Sequence, residues 1–458
     1  MRMKPALWML AAVAMPQAAF AQNAVNLTAL RGLAPFSALE NTPAGKAALA
    51  ANYQVTGAIQ TGTDGQPGLE PFAGQQAQAL KDATITFSNA YQLADGLGAK
   101  LDAAYDKIAF CGSPDDGKTL NCGFTGGLSP VANLILYSAT LTASDSNSGK
   151  YFFADGKQKN GKADAVAANA AALAILTQVG GTTDVLGKAY GVPGGAVGAD
   201  KYGDSRPFQT EKNVLYYAGT DFFGVASGNK DYLDGPAQDL RDSPAFPSGH
   251  TTYGYTESTL LAILVPYRYA QMITRGAEYG NSRIVVGAHY AMDVIAGRSL
   301  AYYDLAHLLA DDPAYVGQKE GKAKPIAEYR GAVAAARAAL DSALETACGG
   351  TVAACAGGDT RMFSDLTADQ AFYESTQTYG LPVVYAAQAG HFEDVALKAP
   401  QAGWLLKAAF PYLTLAQADR ILTQTEGPGG GFLDDGSGFG VYSRLDLVKA
   451  GEAARKVR

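Results

Sequence analysis

The chain has 458 residues and a formal net charge of −7, from 36 Lys and Arg against 43 Asp and Glu. It has no lysine-rich tract and no basic helix face to follow a nucleic-acid backbone, which excludes a nucleic-acid polymer as partner. Its length suits one large core with appendages, or two domains of roughly 100–200 residues each.

Met1-Arg-Met-Lys4, the apolar run Ala6–Met15 and the small-residue site Ala19-Phe20-Ala21 follow one another in the order of a secretory signal peptide. Residues 1–21 are therefore expected to be removed after Ala21, leaving a periplasmic or secreted protein. No later stretch approaches the roughly 20 apolar residues of a membrane-spanning helix. Residues 22–83 contain Pro35, Pro43 and the Gly/Thr/Asp/Gln-rich Thr61–Gly68 stretch, and read as an irregular N-terminal arm.

Residues 84–311 read as a helical core. Apolar residues recur at three- and four-residue intervals over Thr84–Gly98 and Asp164–Val179. Helices are then expected over Thr252–Leu264, over Tyr267–Tyr279 with a stop at Gly280-Asn281, and over Ile284–Leu309 despite Gly287 and Gly297. Residues 312–458 form a C-terminal extension with helical patterns at Pro325–Thr346, Ala368–Thr376 and Pro400–Phe410. Its Gly-rich tail, Gly427–Gly431 and Gly436–Ser443, reads as a hairpin or ordered loop. The fold class is mostly α. Cys111 with Cys122, and Cys348 with Cys355, form two close pairs; in an exported chain they read as local disulfides rather than a zinc site.

The chain has four histidines, and two stand in chemically informative settings. Pro247-Ser-Gly-His250-Thr251 lies directly before a helical pattern. The unpaired N–H groups of a helix start hold anions, Ser248 adds a hydroxyl and Gly249 lets the backbone approach; a plain helix cap is the bland alternative. Further on, Ser282-Arg283 precedes His289, and Asp293 follows four residues later. On a helix that carboxylate reaches one imidazole nitrogen, fixes the tautomer and leaves the other nitrogen free to attack. Arg283 supplies a planar cation for phosphate oxygens. Arg206-Pro207 gives a second arginine. His307 and His391 lack clustered partners and read as structural or surface residues.

These three blocks, in this order, resemble the signature of the type 2 phosphatidic acid phosphatase superfamily, which includes bacterial non-specific acid phosphatases and vanadium haloperoxidases. The resemblance covers roughly residues 165–310. It departs from the family in one place: the lysine that the family separates from Arg-Pro by six residues is replaced by Ala199. Removing Gly191–Lys201 restores the spacing from Lys188, so Lys188 is the first candidate for the phosphate-binding lysine and Lys201 the second.

The resemblance implies a helical-bundle core and a metal-independent phosphatase acting on a small phosphorylated substrate. It makes His289 the nucleophile that carries the phosphoryl group, Asp293 its orienting carboxylate and His250 the acid for the leaving oxygen. Arg206, Arg283, Ser248, Gly249 and the lysine would bind phosphate, with an acidic to near-neutral optimum and sensitivity to vanadate. The rival readings are a vanadium haloperoxidase, for which vanadate would be the cofactor, and a lipid phosphate phosphatase. A phosphate-binding protein without turnover and a metallohydrolase using His250, His289 and Asp293 as ligands are further alternatives.

Overall fold

The computed structural model describes residues 27–63, 68–112, 121–154, 170–200, 203–319, 321, 323–357, 363 and 365–457. The expected signal peptide and Lys201 lie outside the described residues. The principal helices are α1 Pro43–Thr61, α2 Phe72–Asp82, α3 Ala99–Ile108, α4 Ser129–Phe153, α5 Gly249–Leu264, α6 Tyr269–Val285, α7 Ala291–Leu309, α8 Tyr329–Cys348, α9 Leu366–Thr378 and α10 Leu447–Arg455. Strands among the described residues are confined to two antiparallel hairpins, β1 Ala109–Gly112 with β2 Asn121–Phe124, and β3 Ala218–Thr220 with β4 Ala226–Gly228. The protein is thus mostly α.

Helix α5 is buried along its whole length, from Gly249 to Leu264. A helix buried on every side belongs at the centre of a protein, and α4, α6 and α7 pack around it. None of the helices among the described residues is long and apolar enough to cross a membrane.

The segment read as an irregular arm is mostly helical where it is described, which corrects that expectation. Its signals are local: Thr42 caps α1 by accepting a hydrogen bond from the Gly45 N–H, Pro43 occupies the first turn, and Gly62 ends the helix at φ 71°. The arm also carries the site. The Thr56 hydroxyl and the Asn52 amide oxygen of α1 accept from the N–H groups of Ala291 and Met292, at 3.1 and 3.0 Å, and so cap α7 from outside. In α2, Asp82 binds Arg275 and Ser282 of α6.

The C-terminal extension is a layer over the core, since one continuous apolar cluster runs from Ala29 to Ala454. Arg298 of α7 anchors it by donating to the carbonyls of Thr376, Gln377 and Ser443. The tail read as a hairpin contains a short helix at Gly438–Tyr442. Pro400–Phe410 keeps one helical turn at Trp404–Lys407.

Three further expectations are corrected. Thr84–Gly98 holds a loop and a 3-10 turn at Tyr91–Leu97, because the Asn89 side chain is committed to the β1–β2 hairpin and Ala90 takes φ 51°. Helix α6 runs through Gly280 to Val285, and the single helix expected over Ile284–Leu309 is broken at 286–290, where Gly287 adopts φ 88°. Helix α4 had no counterpart in the sequence reading. Both cysteine pairs are disulfides, with S–S distances of 1.98 Å for Cys111–Cys122 and 2.06 Å for Cys348–Cys355.

Candidate active site

The two informative histidines sit at the starts of neighbouring helices. Ser248 is the N-cap of α5 and accepts from the Thr251 N–H at 3.1 Å, the capping role expected of that residue type. Its own backbone N–H donates to the Asp293 carbonyl at 3.1 Å, which ties the start of α5 to the start of α7. His250 follows in the first turn. A side chain at Gly249 would crowd Ser146 Oγ at 3.3 Å and Lys150 Nζ at 3.4 Å, so glycine there lets α4 approach.

His289 lies in the loop before α7, not on the helix. The Arg283 carbonyl receives the N–H groups of both Ala288 and His289, closing the end of α6 and fixing the turn. Asp293 stands in the first turn of α7, and its Oδ2 accepts from the Tyr290 N–H at 2.8 Å and from His289 Nδ1 at 3.2 Å. The expected His–Asp contact is present, but a helix-capping carboxylate makes it rather than a shared helical face.

Hydrogen-bond partners assign the tautomers. Arg206 Nη1 lies 3.0 Å from His289 Nε2, and guanidinium can only donate. His289 Nε2 therefore presents its lone pair and Nδ1 carries the proton toward Asp293. The Gln238 amide nitrogen, a donor, lies 3.2 Å from His250 Nε2, which therefore accepts and leaves the His250 proton on Nδ1, 3.5 Å from the same His289 Nε2. Gln238 was not singled out from sequence; a glutamine in a loop gives no signal of its own.

Arg206 is fully buried and held in place by the carbonyls of Ser243, Pro244 and Ala288. Arg283 stacks over Tyr279 with its guanidinium 4.9 Å from the ring centre, and one amino group reaches the Ala79 carbonyl of α2 at 3.4 Å. Its Nε is buried without a hydrogen-bond partner.

The lysine at this centre is Lys150, near the end of α4. Burial, helped by repulsion from Arg206, lowers its pKa to about 7, against the pull of Asp293 and Asp204. Lys188 is exposed, and its ammonium group is bonded to the Thr183 carbonyl. Spacing before Arg-Pro points to Lys188, whereas the lysine that shares the buried charge environment of Arg206 and Asp293 is Lys150, on a helix more than fifty residues upstream of Arg206.

The electrostatics favour an anion. Burial, followed by repulsion from Arg283, Lys150 and Arg206, holds His250 well below its usual pKa. His289 is lowered in the same way, with Arg206 the leading charge after burial. Asp293 is raised by burial to about 7, although the Tyr290 N–H, Arg206 and Lys150 oppose the rise. Three basic side chains thus surround two neutral imidazoles, a setting that attracts a multiply charged oxyanion. Among the described residues no group of three or more His, Cys, Asp or Glu side chains is placed to hold a metal ion.

Comparison with known proteins points the same way. An acid phosphatase of Zymomonas mobilis is 45% identical over 67 residues, 15% of this chain and 25% of that protein. A non-specific acid phosphatase of Salmonella typhimurium is 41% identical over 69 residues, 15% of this chain and 28% of the relative. One of Providencia stuartii is 35% identical over 80 residues, 18% and 31% of the two chains. The chain therefore spans about a quarter to a third of the length of these relatives. The family model described as the PAP2 superfamily matches residues 170–311, a span that holds Arg206, His250, Arg283, His289 and Asp293 but not Lys150. Residues 170–311 of this chain thus match the PAP2 superfamily, and they pack on helices that the rest of the chain supplies.

Proposed function

We propose that this protein is an exported acid phosphatase that hydrolyses phosphate monoesters through a phosphohistidine at His289, without a metal ion. The observation that carries the reading is the hydrogen-bonded line Asp293–His289–His250, with Arg206 donating to the attacking nitrogen.

His289 Nε2 attacks phosphorus and forms the N–P bond as the P–O bond to the alcohol breaks. His250 gives its proton to the departing oxygen. Water then adds to phosphorus, losing a proton to His250, and the N–P bond breaks to release phosphate. Lys150, Arg206 and Arg283 neutralise the equatorial oxygens, with the Ser248 hydroxyl and the Gly249 N–H as further donors. Asp293 keeps the Nδ1 proton of His289 in place and stabilises the charge that develops on the ring.

Nucleophile and acid stand on opposite sides of phosphorus in an in-line displacement. The two imidazole nitrogens are 3.5 Å apart, too close to admit a phosphoryl group. Substrate binding must therefore draw the two rings apart. Export is supported by the two disulfides, which persist in oxidising compartments.

The test is to quench turnover of a labelled monoester under alkaline conditions, which preserve phosphohistidine, and to map the label. Label on His289, lost in His289→Ala, with activity retained in chelator and abolished by vanadate, is the expected result. Label elsewhere, or activity lost to the chelator, refutes the mechanism. Halide oxidation in the presence of vanadate would favour the haloperoxidase.

A further inference from the structure

A small apolar group stands apart from the main core, reached along α5 about one turn beyond His250. It consists of Ala139 and Ala143 of α4 and Tyr253 of α5, with Ile85 and Phe87 packed against them. Tyr253 is three residues beyond His250 and so shares its face of α5. Phe87 meets Tyr253 edge to face, with ring centres 4.4 Å apart and planes at 82°. Ile85 and Phe87 remain partly exposed, so this apolar surface is not consumed by folding.

The segment carrying Ile85 and Phe87 is held firmly. Ser88 donates to the Cys122 carbonyl at 2.8 Å. Asn89 donates to the carbonyls of Phe110 and Gly123 at 3.0 and 2.9 Å. These acceptors lie on the two strands joined by the Cys111–Cys122 disulfide. The cross-linked hairpin is thus a brace for the loop.

We infer that Ile85, Phe87 and Tyr253 receive the alcohol portion of the substrate and favour an aromatic alcohol over a short alkyl or polyhydroxylated one. The inference rests on the proposed role of His250: the acid must touch the leaving oxygen, and the aromatic wall begins one helical turn beyond it. An aromatic ring placed there gains edge and face contacts with Phe87 and Tyr253, while a polyol would lose hydration without finding partners.

The test compares kcat/KM for 2-phenylethyl phosphate and ethyl phosphate, whose alcohols have similar acidity, so that leaving-group chemistry does not bias the ratio. The full-length protein should prefer the aromatic ester by about tenfold or more, a typical gain for one well-filled apolar subsite. Phe87→Ala and Tyr253→Ala should each bring the ratio toward one. Phe87 is partly exposed, so its variant carries the test if Tyr253→Ala does not fold. A ratio near one in the unaltered protein, or one that neither variant changes, overturns the subsite while leaving the phosphatase reading intact. Hydrolysis of neither ester overturns both.

Discussion

At the residue scale, the placement of charge decides the pH behaviour. In the free protein Lys150 titrates at about 7 and His250 below its usual range, each because burial and neighbouring cations disfavour the charged form. Both must be protonated in the proposed reaction, the lysine to bind and the histidine to donate. His289 must be neutral, and its lowered pKa keeps it so in mild acid. Consequently kcat/KM should rise as pH falls through 7. Bound phosphate raises the pKa of both cations, so the alkaline fall of kcat should lie at higher pH than that of kcat/KM. Paired pH profiles measure this, and a kcat/KM that climbs between pH 7 and 8 would contradict it. The same placement separates two lysines. Lys150→Met should lower kcat/KM about 10- to 100-fold, the worth of one charge-assisted hydrogen bond, and Lys188→Met should leave it unchanged. His250, Arg283, His289 and Asp293 were legible because their chemistry is written in short local spacings. Lys150 was not, since it belongs to a helix far upstream, and only folding brings it to Arg206.

At the element scale, α7 begins where it does because other parts of the chain satisfy its first N–H groups. Asp293 serves Tyr290 from within, while Thr56 and Asn52 of α1 serve Ala291 and Met292 from without. Removing either outside partner leaves a buried donor unpaired. Thr56→Ala and Asn52→Ala should each cost about 1 kcal/mol of stability by chemical denaturation, the usual worth of a cap. They should also lower kcat, because the same turn holds His289. Loss of stability with unchanged kcat would show that the turn is fixed without α1. Periodicity alone missed this junction: the apolar pattern continues across 284–309, and the break at Gly287 depends on a positive φ that spacing does not reveal. The arm was misread for a related reason. In sequence its prolines and glycines read as breakers, whereas in the fold Pro43 and Gly62 are the start and stop of a helix.

At the scale of the whole molecule, burial of acids sets the preferred pH of the fold. Glu257 of α5 is fully buried, neither carboxyl oxygen has a hydrogen-bond partner, and burial alone raises its pKa well above 4.5. Asp304 is raised by burial and by Asp145, and Asp204 by burial and by Asp293. For each, the unfolded chain ionises as pH rises above about 4 while the folded chain stays protonated, so stability is lost upward from there until the folded pKa is passed. The histidines oppose this. His250, His289 and His307 are lowered, chiefly by burial, so their contribution is complete above 6.5 and is lost as pH falls below it. The carboxyl side is the larger, since Asp293 at about 7 and Glu278 at about 8 join the three acids already named. The urea midpoint should therefore be higher at pH 5 than at pH 7.5. Glu257→Gln, which keeps the shape of the protonated acid, should raise the midpoint at pH 7.5 and change it little near pH 4. An equal shift at both values would mean that the side chain acts through packing rather than ionisation. A fold that is most stable with its buried acids protonated matches a site whose lysine and leaving-group histidine also need protons.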